Sequence, residues 1–326
     1  MPYNNTLLDQ NMSFVKKLLQ LFTRSIQARL VVFIVAPVLV FFVAVMVVAI
    51  ARISAATESQ LGKQLTIQAR NYAAVLDTEF RTIAGLGVIN AGLFNRLPRT
   101  DESSRRALLQ NTLSASSLVH AAGFIPADNN AGSIYLYKKM QNDSTVIQTV
   151  EAELDHLKEH DWYQTARRTG QQQWSEPYRS AFPQPMLKVT LVTPVMDSDR
   201  FTGVSVIDLD LSRLQQHSAL HRLNKREFVI TSQQGHFVTH PDPELILEKR
   251  LSDQAREMDD PVFTEFTKAM LGGRSGQYRL QRLVPESDAP YRVFFAPIDA
   301  TGCSFATALP ESEVLAFSQA QIRDGA

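Results

Sequence analysis

The chain has 326 residues, about twice a common ~150-residue domain. Its 33 Lys+Arg balance its 33 Asp+Glu, and such a neutral chain lacks the concentrated basic stripe of a nucleic-acid-binding protein. Hydrophobic residues at 44% and charged residues at 20% are values of a folded chain and argue against disorder.

Leu30–Ala51 breaks these averages. It carries no charged side chain over 22 residues, enough for a helix to cross the ~30 Å hydrocarbon core of a bilayer. Ahead of it Lys16, Lys17, Arg24 and Arg29 face only Asp9, a net +3 that leaves −3 for the rest of the neutral chain. Cationic flanks stay cytoplasmic. Residues 1–29 are therefore expected as a cytoplasmic tail, 30–51 as a transmembrane helix and 52–326 outside the membrane. Ala49-Ile50-Ala51 has the small residues of a signal-peptide cleavage site, but the apolar core of such a peptide is usually only ~7–15 residues long. An uncleaved anchor is the better reading. Cys303 is the single cysteine, so no internal disulfide forms, and its apolar surroundings (Ser304-Phe305-Ala306) suit a buried structural thiol.

Beyond the anchor, Leu61, Leu65, Ala69, Tyr72, Leu76, Phe80, Ile83 and Leu86 recur at steps of three and four, the stripe of a long amphipathic helix. This stalk occupies 52–95. Gly85, Gly87 and Gly92 are expected to loosen it, and Pro98 to close it. A shorter helix is expected over Glu102–Ser114, capped by Thr100 or Asp101. Strands follow at Gly132–Tyr137, Met186–Val195 and Phe201–Leu209, the last two joined by a turn at Asp197–Arg200. A helical connector over Ser212–Leu223 leads to a second block. Its strands are Glu227–Thr231, His236–Thr239, Gly276–Gln281, Tyr291–Ala296 and Ser304–Leu309, with a helix over Pro261–Met270. The fold class is thus α+β, with two modules on one stalk: 96–210 and 226–310, a connector at 211–225 and an exit helix at 311–326.

Several of these segments carry a resemblance. Asp161-Trp162-Tyr163, Trp174-Ser175-Glu176-Pro177-Tyr178 and Thr202–Leu209, followed by Phe228–Gly235, Thr239–Glu244, Ala296-Pro297-Ile298 and Thr301-Gly302-Cys303-Ser304, resemble a bacterial double-Cache sensor domain. That family has two PAS-like antiparallel-sheet modules in tandem outside the membrane, and the resemblance covers about residues 52–315. It implies the front half of an inner-membrane signalling receptor, with ligand bound in the membrane-distal module, 96–210. Amino-acid-binding members carry an Arg two places before the Trp-Tyr pair, a downstream Tyr and an Asp ending the last distal strand. Here Trp162, Tyr163, Tyr178 and Asp208 match, and His160 stands in place of the Arg.

The chemistry follows from these side chains. Asp208 suits a ligand ammonium, and Trp162 and Tyr163 suit a cation or an apolar tail. His160 cannot form the two-pronged carboxylate clamp of an Arg. An amine or another small organic molecule is therefore favoured over an α-amino acid, and His160 would make recognition depend on pH near 6–7. Plainer roles stay open: Trp162 and Tyr163 as core, Asp208 as cap of the next helix, Tyr178 as loop closure.

The pairs His156/His160, His217/His221 and His236/His240 have helical i,i+4 spacing but no third ligand at a diagnostic distance, so no metal and no cofactor is expected. No nucleophile elbow or kinase loop occurs, and Leu271–Gly276 lacks phosphate-loop spacing, so the chain is not expected to be an enzyme. The chain stops after the exit helix without a second span or an output module, which implies a truncated receptor or a cytoplasmic signalling partner. A homodimer with paired stalks is expected. The alternative is an anchored structural protein using its PAS-like surfaces for protein contacts. Burial of Trp162, Tyr163 and Asp208 in a closed core would favour that alternative.

Overall fold

A computed structural model describes residues 34–98, 101–128, 133–141, 144–150, 155–182, 185–216, 228–283, 289–314 and 316. The chain divides into two compact units, 1–61 and 62–326. Helix α1 runs over Ala36–Arg96. Among the described residues no helix is long and apolar enough to cross a membrane. The run Leu30–Ala51 lies partly outside the described residues. Within its described part Val38, Leu39, Val40, Phe41 and Phe42 are all exposed.

Within the unit 62–326, α1 buries the stripe that its spacing predicts: Leu65, Ala69, Leu76, Phe80 and Ile83 are all buried. Along this face Tyr72 meets Phe305 at 6.0 Å, Phe80 meets Trp174 edge-on at 5.5 Å, and Phe94 stacks on Phe124 at 4.9 Å. The glycines do not loosen the helix, which runs unbroken to Arg96. Gly87 serves close packing instead. A Cβ there would lie 2.6 Å from Thr193 Oγ1 and 2.8 Å from Gln172 Nε2, so the missing side chain lets helix and sheet approach.

Helix α2, Glu102–Ala115, starts at Asp101, whose carboxylate accepts from Ser104 N at 3.1 Å. The first sheet contains β1 (Val119–Pro126), β2 (Ile134–Gln141), β3 (Ser144–Val150), β4 (Gln173–Trp174), β5 (Tyr178–Ser180), β6 (Met186–Asp197) and β7 (Arg200–Asp210). Its order is β3-β2-β1-β7-β6-β4, with β5 on β6, and every pairing is antiparallel. The central β1 escapes sequence reading because all eight of its residues are buried, which erases the alternation that marks a half-buried strand. Helix α3, Asp161–Thr169, lies against β6 and β7 through Trp162, Tyr163 and Ala166. It ends at Gly170, whose φ of 64° suits a glycine cap.

Helix α4, Leu211–Gln215, opens the connector; expectations for 217–225 and for 317–326 lie outside the described residues. The second sheet comprises β8 (Phe228–Thr231), β9 (Phe237–Thr239), β10 (Gly276–Leu280), β11 (Tyr291–Ile298) and β12 (Cys303–Pro310). It is antiparallel in the order β10-β11-β12-β8-β9. Helices α5 (Leu251–Met258) and α6 (Pro261–Leu271) bury Leu251, Phe263, Phe266 and Met270 with the sheet residues Phe237 and Phe295. Sequence reading missed α5, a short helix with only Leu251, Ala255 and Met258 as its apolar face. The α+β class with two antiparallel sheets is present.

Gly87→Val should destabilise the unit 62–326 by about 1–3 kcal/mol, as overpacking does. Gly85 has nothing within 4 Å of a built Cβ, so Gly85→Ala should stabilise it by about 0.5–1 kcal/mol. Urea denaturation of both variants measures the contrast, and equal effects would contradict the packing role of Gly87.

Candidate functional site

The first sheet brings a charged cluster into its interior. Thr190 on β6 lies directly opposite Asp208 on β7. Lys188, two residues earlier on the same strand, shares the face of Thr190 because side chains alternate along a strand. Lys188 Nζ lies 2.6 Å from Asp208 Oδ2, and both side chains are almost fully buried, at 2% and 3% exposure. Thr190 Oγ1 donates to Asp208 Oδ1 at 2.7 Å. Tyr135 reaches from β2 across β1 and donates its hydroxyl to Asp208 Oδ2. Its ring passes over Gly123, where a Cβ would come within 2.6 Å of Tyr135 Cδ2.

Aromatic side chains enclose the ammonium. Lys188 Nζ lies 5.5 Å from the centre of the Tyr178 ring, and the Tyr178 hydroxyl shares a 2.7 Å hydrogen bond with Thr190 Oγ1. His160 stacks on Trp162 at 5.3 Å and tilts against Tyr178 at 5.4 Å. Tyr163 packs edge-on to Phe201 at 5.8 Å. Trp162 Nε1 interacts with the Tyr178 phenol oxygen without reaching hydrogen-bond geometry.

The electrostatics follow from burial and pairing. Burial would raise the Asp208 carboxyl, but the Lys188 charge and the hydrogen bonds from Lys188, Tyr135 and Thr190 outweigh it and hold the group below the usual carboxylate range. Burial pushes the Tyr135 hydroxyl well up, and the Asp208 charge adds to the effect. Burial first and the Lys188 charge second lower His160. Both effects favour the neutral ring.

All five sequence-predicted residues, His160, Trp162, Tyr163, Tyr178 and Asp208, thus fall in one region of the first module, in an arrangement their spacing does not reveal. Asp208 does not cap the next helix. Asp210 does, accepting from Ser212 N at 2.9 Å. The carboxylate of Asp208 is engaged by Lys188, Thr190 and Tyr135, which sequence reading did not select. Their signal was present: Lys188 is a charged side chain within the apolar run Met186–Val195, an unusual residue for an interior strand. Trp162, Tyr163 and Asp208 are buried, whereas His160 and Tyr178 are partly exposed.

The segment Trp174–Tyr178 links this cluster to the rest of the unit. Trp174 packs on Phe80 of α1, Ser175 Oγ accepts from Thr190 N at 2.9 Å, and Tyr178 covers Lys188. Between them Glu176 Oε2 lies 3.0 Å from His236 Nδ1 and accepts from the Ser232 hydroxyl, both in the second module. Arg250 Nε donates to His236 Nε2 at 2.9 Å, which leaves the proton of a neutral ring on Nδ1, facing Glu176. Nearby Cys303 is half-buried, and burial pushes its thiol up to about 11, an unreactive group. His217 and His221 lie outside the described residues; among those described, no three His, Cys, Asp or Glu converge on a metal-sized site.

Among the described residues, one cavity of about 270 Å³ lies in the second module and one of about 50 Å³ beside Phe80, Trp174 and Glu176. Neither is lined by any of the five predicted residues.

A family model described as Cache domain matches residues 16–317. The chain belongs to the Cache domain family. Its tandem antiparallel sheets are those of a double-Cache extracytoplasmic sensor. Among solved structures, the extracellular domain described as that of a histidine kinase, soHK1S-Z6, is 19% identical with a TM-score of 0.65, covering 80% of this chain and 98% of its own. The periplasmic sensory domain of the Campylobacter jejuni chemoreceptor Tlp1 is 16% identical with a TM-score of 0.62, covering 79% and 98%. The ligand-binding domain of the Pseudomonas aeruginosa PAO1 amino acid chemoreceptor PctB, in complex with L-Arg, is 16% identical with a TM-score of 0.56, covering 78% and 97%. No curated protein matches the chain.

The Asp208 carboxyl provides a pH test. A carboxyl held below its unfolded value contributes stability above about pH 4, and loses it as pH falls through the lowered folded value. Asp208→Asn should cost about 3–5 kcal/mol at pH 7, because it leaves Lys188 buried and unpaired. The gap between wild-type and variant urea midpoints should then narrow below about pH 4. A gap constant from pH 7 to pH 3 would contradict the ion pair.

Proposed function

We propose that this Cache chain is the receiving part of a membrane-anchored receptor, binding a small molecule in its first, membrane-distal module and passing the signal through α1. The observation that carries this reading is the Lys188–Asp208 pair beneath His160, Trp162 and Tyr178. Desolvating two charges is costly, and well-packed apolar residues of the same volume commonly serve stability as well or better. A buried ion pair inside a ligand-sensing family is therefore better explained by recognition than by folding. The chain's own ammonium already engages Asp208, so a ligand amine has no unpaired carboxylate to meet. Lys188 also contacts the Phe182 carbonyl at 3.3 Å; among the described residues these are its hydrogen-bond acceptors, and its third N–H suits a ligand acceptor oxygen. A small organic acid or a neutral oxygen-bearing molecule is the class this favours.

The anchor reading rests on the charge-free run Leu30–Ala51 and its exposed apolar side chains. It gives a cytoplasmic N-terminus and a bacterial inner-membrane location. Dimerisation is supported by a second apolar face on α1, where Ile67, Val75, Val88 and Ile89 are each about half exposed (48–57%). Burial of Trp162, Tyr163 and Asp208 favours a second reading, an anchored interaction protein without a small ligand.

A thermal-shift screen of residues 62–326 with organic acids, neutral polar molecules, amines and amino acids separates these readings. A ligand at 100 times its dissociation constant should stabilise by about 2.7 kcal/mol, with the hit among the acceptor-bearing compounds and lost in Lys188→Met/Asp208→Leu, which leaves no charge unpaired. Hits confined to amines, or hits indifferent to this double variant, would overturn the assigned class. Sedimentation of the full chain should show a dimer that Val88→Lys/Ile89→Lys converts to monomer; a wild-type monomer would remove the paired stalk.

A further inference from the structure

The second module holds the larger cavity, about 270 Å³, and it plays no part in the site described above. It lies inside the sandwich of the second sheet with α5 and α6, walled by Phe237, Phe263 and Phe266, which are at most 3% exposed. It is partly open to solvent past Pro241 and Asp242. An apolar cavity of about 150 Å³ accommodates benzene; by proportion, this one takes about 11 non-hydrogen atoms.

Two polar side chains give the cavity direction. Gln254 is nine-tenths buried, and its Nε2 donates to the Leu283 carbonyl at 3.0 Å. That bond orients the amide of a residue that lines the cavity. His240, equally buried, is held through Nδ1 by the Asp242 backbone, 3.0 Å from its nitrogen and 3.1 Å from its carbonyl oxygen. Among the described residues no Lys or Arg lines the cavity, and the exposed Asp242 is its only charge. An anion would enter past a like charge and find no counter-ion.

We propose that this cavity is a second ligand site, taking a compact, uncharged aromatic or branched aliphatic molecule with one hydrogen-bonding group set on Gln254. Apolar walls with a few placed polar groups are the usual build of small-molecule pockets. The site is separate from the Lys188–Asp208 cluster, and its ligand is of a different chemical class.

The probe is 1-naphthol, whose ring system fits the volume and whose hydroxyl can donate to Gln254 Oε1; 1-naphthoate is the anionic counterpart. Full chain in lipid nanodiscs is titrated by fluorescence anisotropy, with protein-free nanodiscs as the blank. Saturable binding of naphthol above the blank is expected, with naphthoate at least about tenfold weaker. Ala308→Phe, which fills the cavity, should abolish binding, and Gln254→Leu should weaken it about tenfold, the worth of one buried hydrogen bond. The double variant Lys188→Met/Asp208→Leu, which removes the first-module pair without leaving a charge unpaired, should leave it unchanged. Absence of saturable binding, or binding indifferent to both cavity variants, overturns the site. Loss of binding in that folded double variant would move the molecule to the first module and equally overturn the site. Should Ala308→Phe fail to fold, Gln254→Leu decides the question.

Discussion

One buried ion pair organises the first module. Lys188 and Asp208 sit on adjacent central strands, almost without exposure, and neither charge is tolerable there without the other. The surrounding architecture meets that constraint. Thr190 and Tyr135 complete the carboxylate's hydrogen bonds, Gly123 lets the Tyr135 ring cross the intervening strand, and Tyr178 covers the ammonium. Helix α3 then closes the region with Trp162 and Tyr163.

The same cluster is connected mechanically. The segment Trp174–Tyr178 touches α1 at one end, the ion pair at the other, and the second module through Glu176. A change at Tyr178 is therefore a few residues of chain from Glu176, which contacts His236, and from Trp174, which packs on Phe80. Farther along α1, Asp77 accepts from the Ala300 backbone N–H at 2.6 Å, so the helix is held by both modules. A ligand moves such a system only in proportion to its differential affinity for two arrangements, about 5.5 kcal/mol for full reversal of a 1:99 mixture.

Much of this was legible in the sequence, for identifiable reasons. The α1 stripe, the Asp101-capped helix and the strands from Met186 to Asp210 carry periodic patterns that burial on one face imposes. Val119–Pro126 is buried throughout and has no period to read. The glycines at 85, 87 and 92 read as breaks because propensity ignores packing; a helix held against a sheet tolerates them, and Gly87 is used by that contact. Within the site, the five selected residues do gather in one region. The partner of Asp208 stayed hidden because it depends on strand register, which juxtaposes Lys188, Thr190 and Asp208 from positions some twenty residues apart. That partner is why the proposed ligand is an acceptor-bearing molecule and not an amine.

The central claim is that Lys188 and Asp208 are kept for recognition rather than for folding. The most direct measurement is the melting temperature of the Lys188→Met/Asp208→Leu double variant, with and without a compound that stabilises the wild-type protein. Melting at or above the wild-type temperature is predicted without the compound, and no shift with it. A ligand-induced shift that survives in the double variant would contradict the claim.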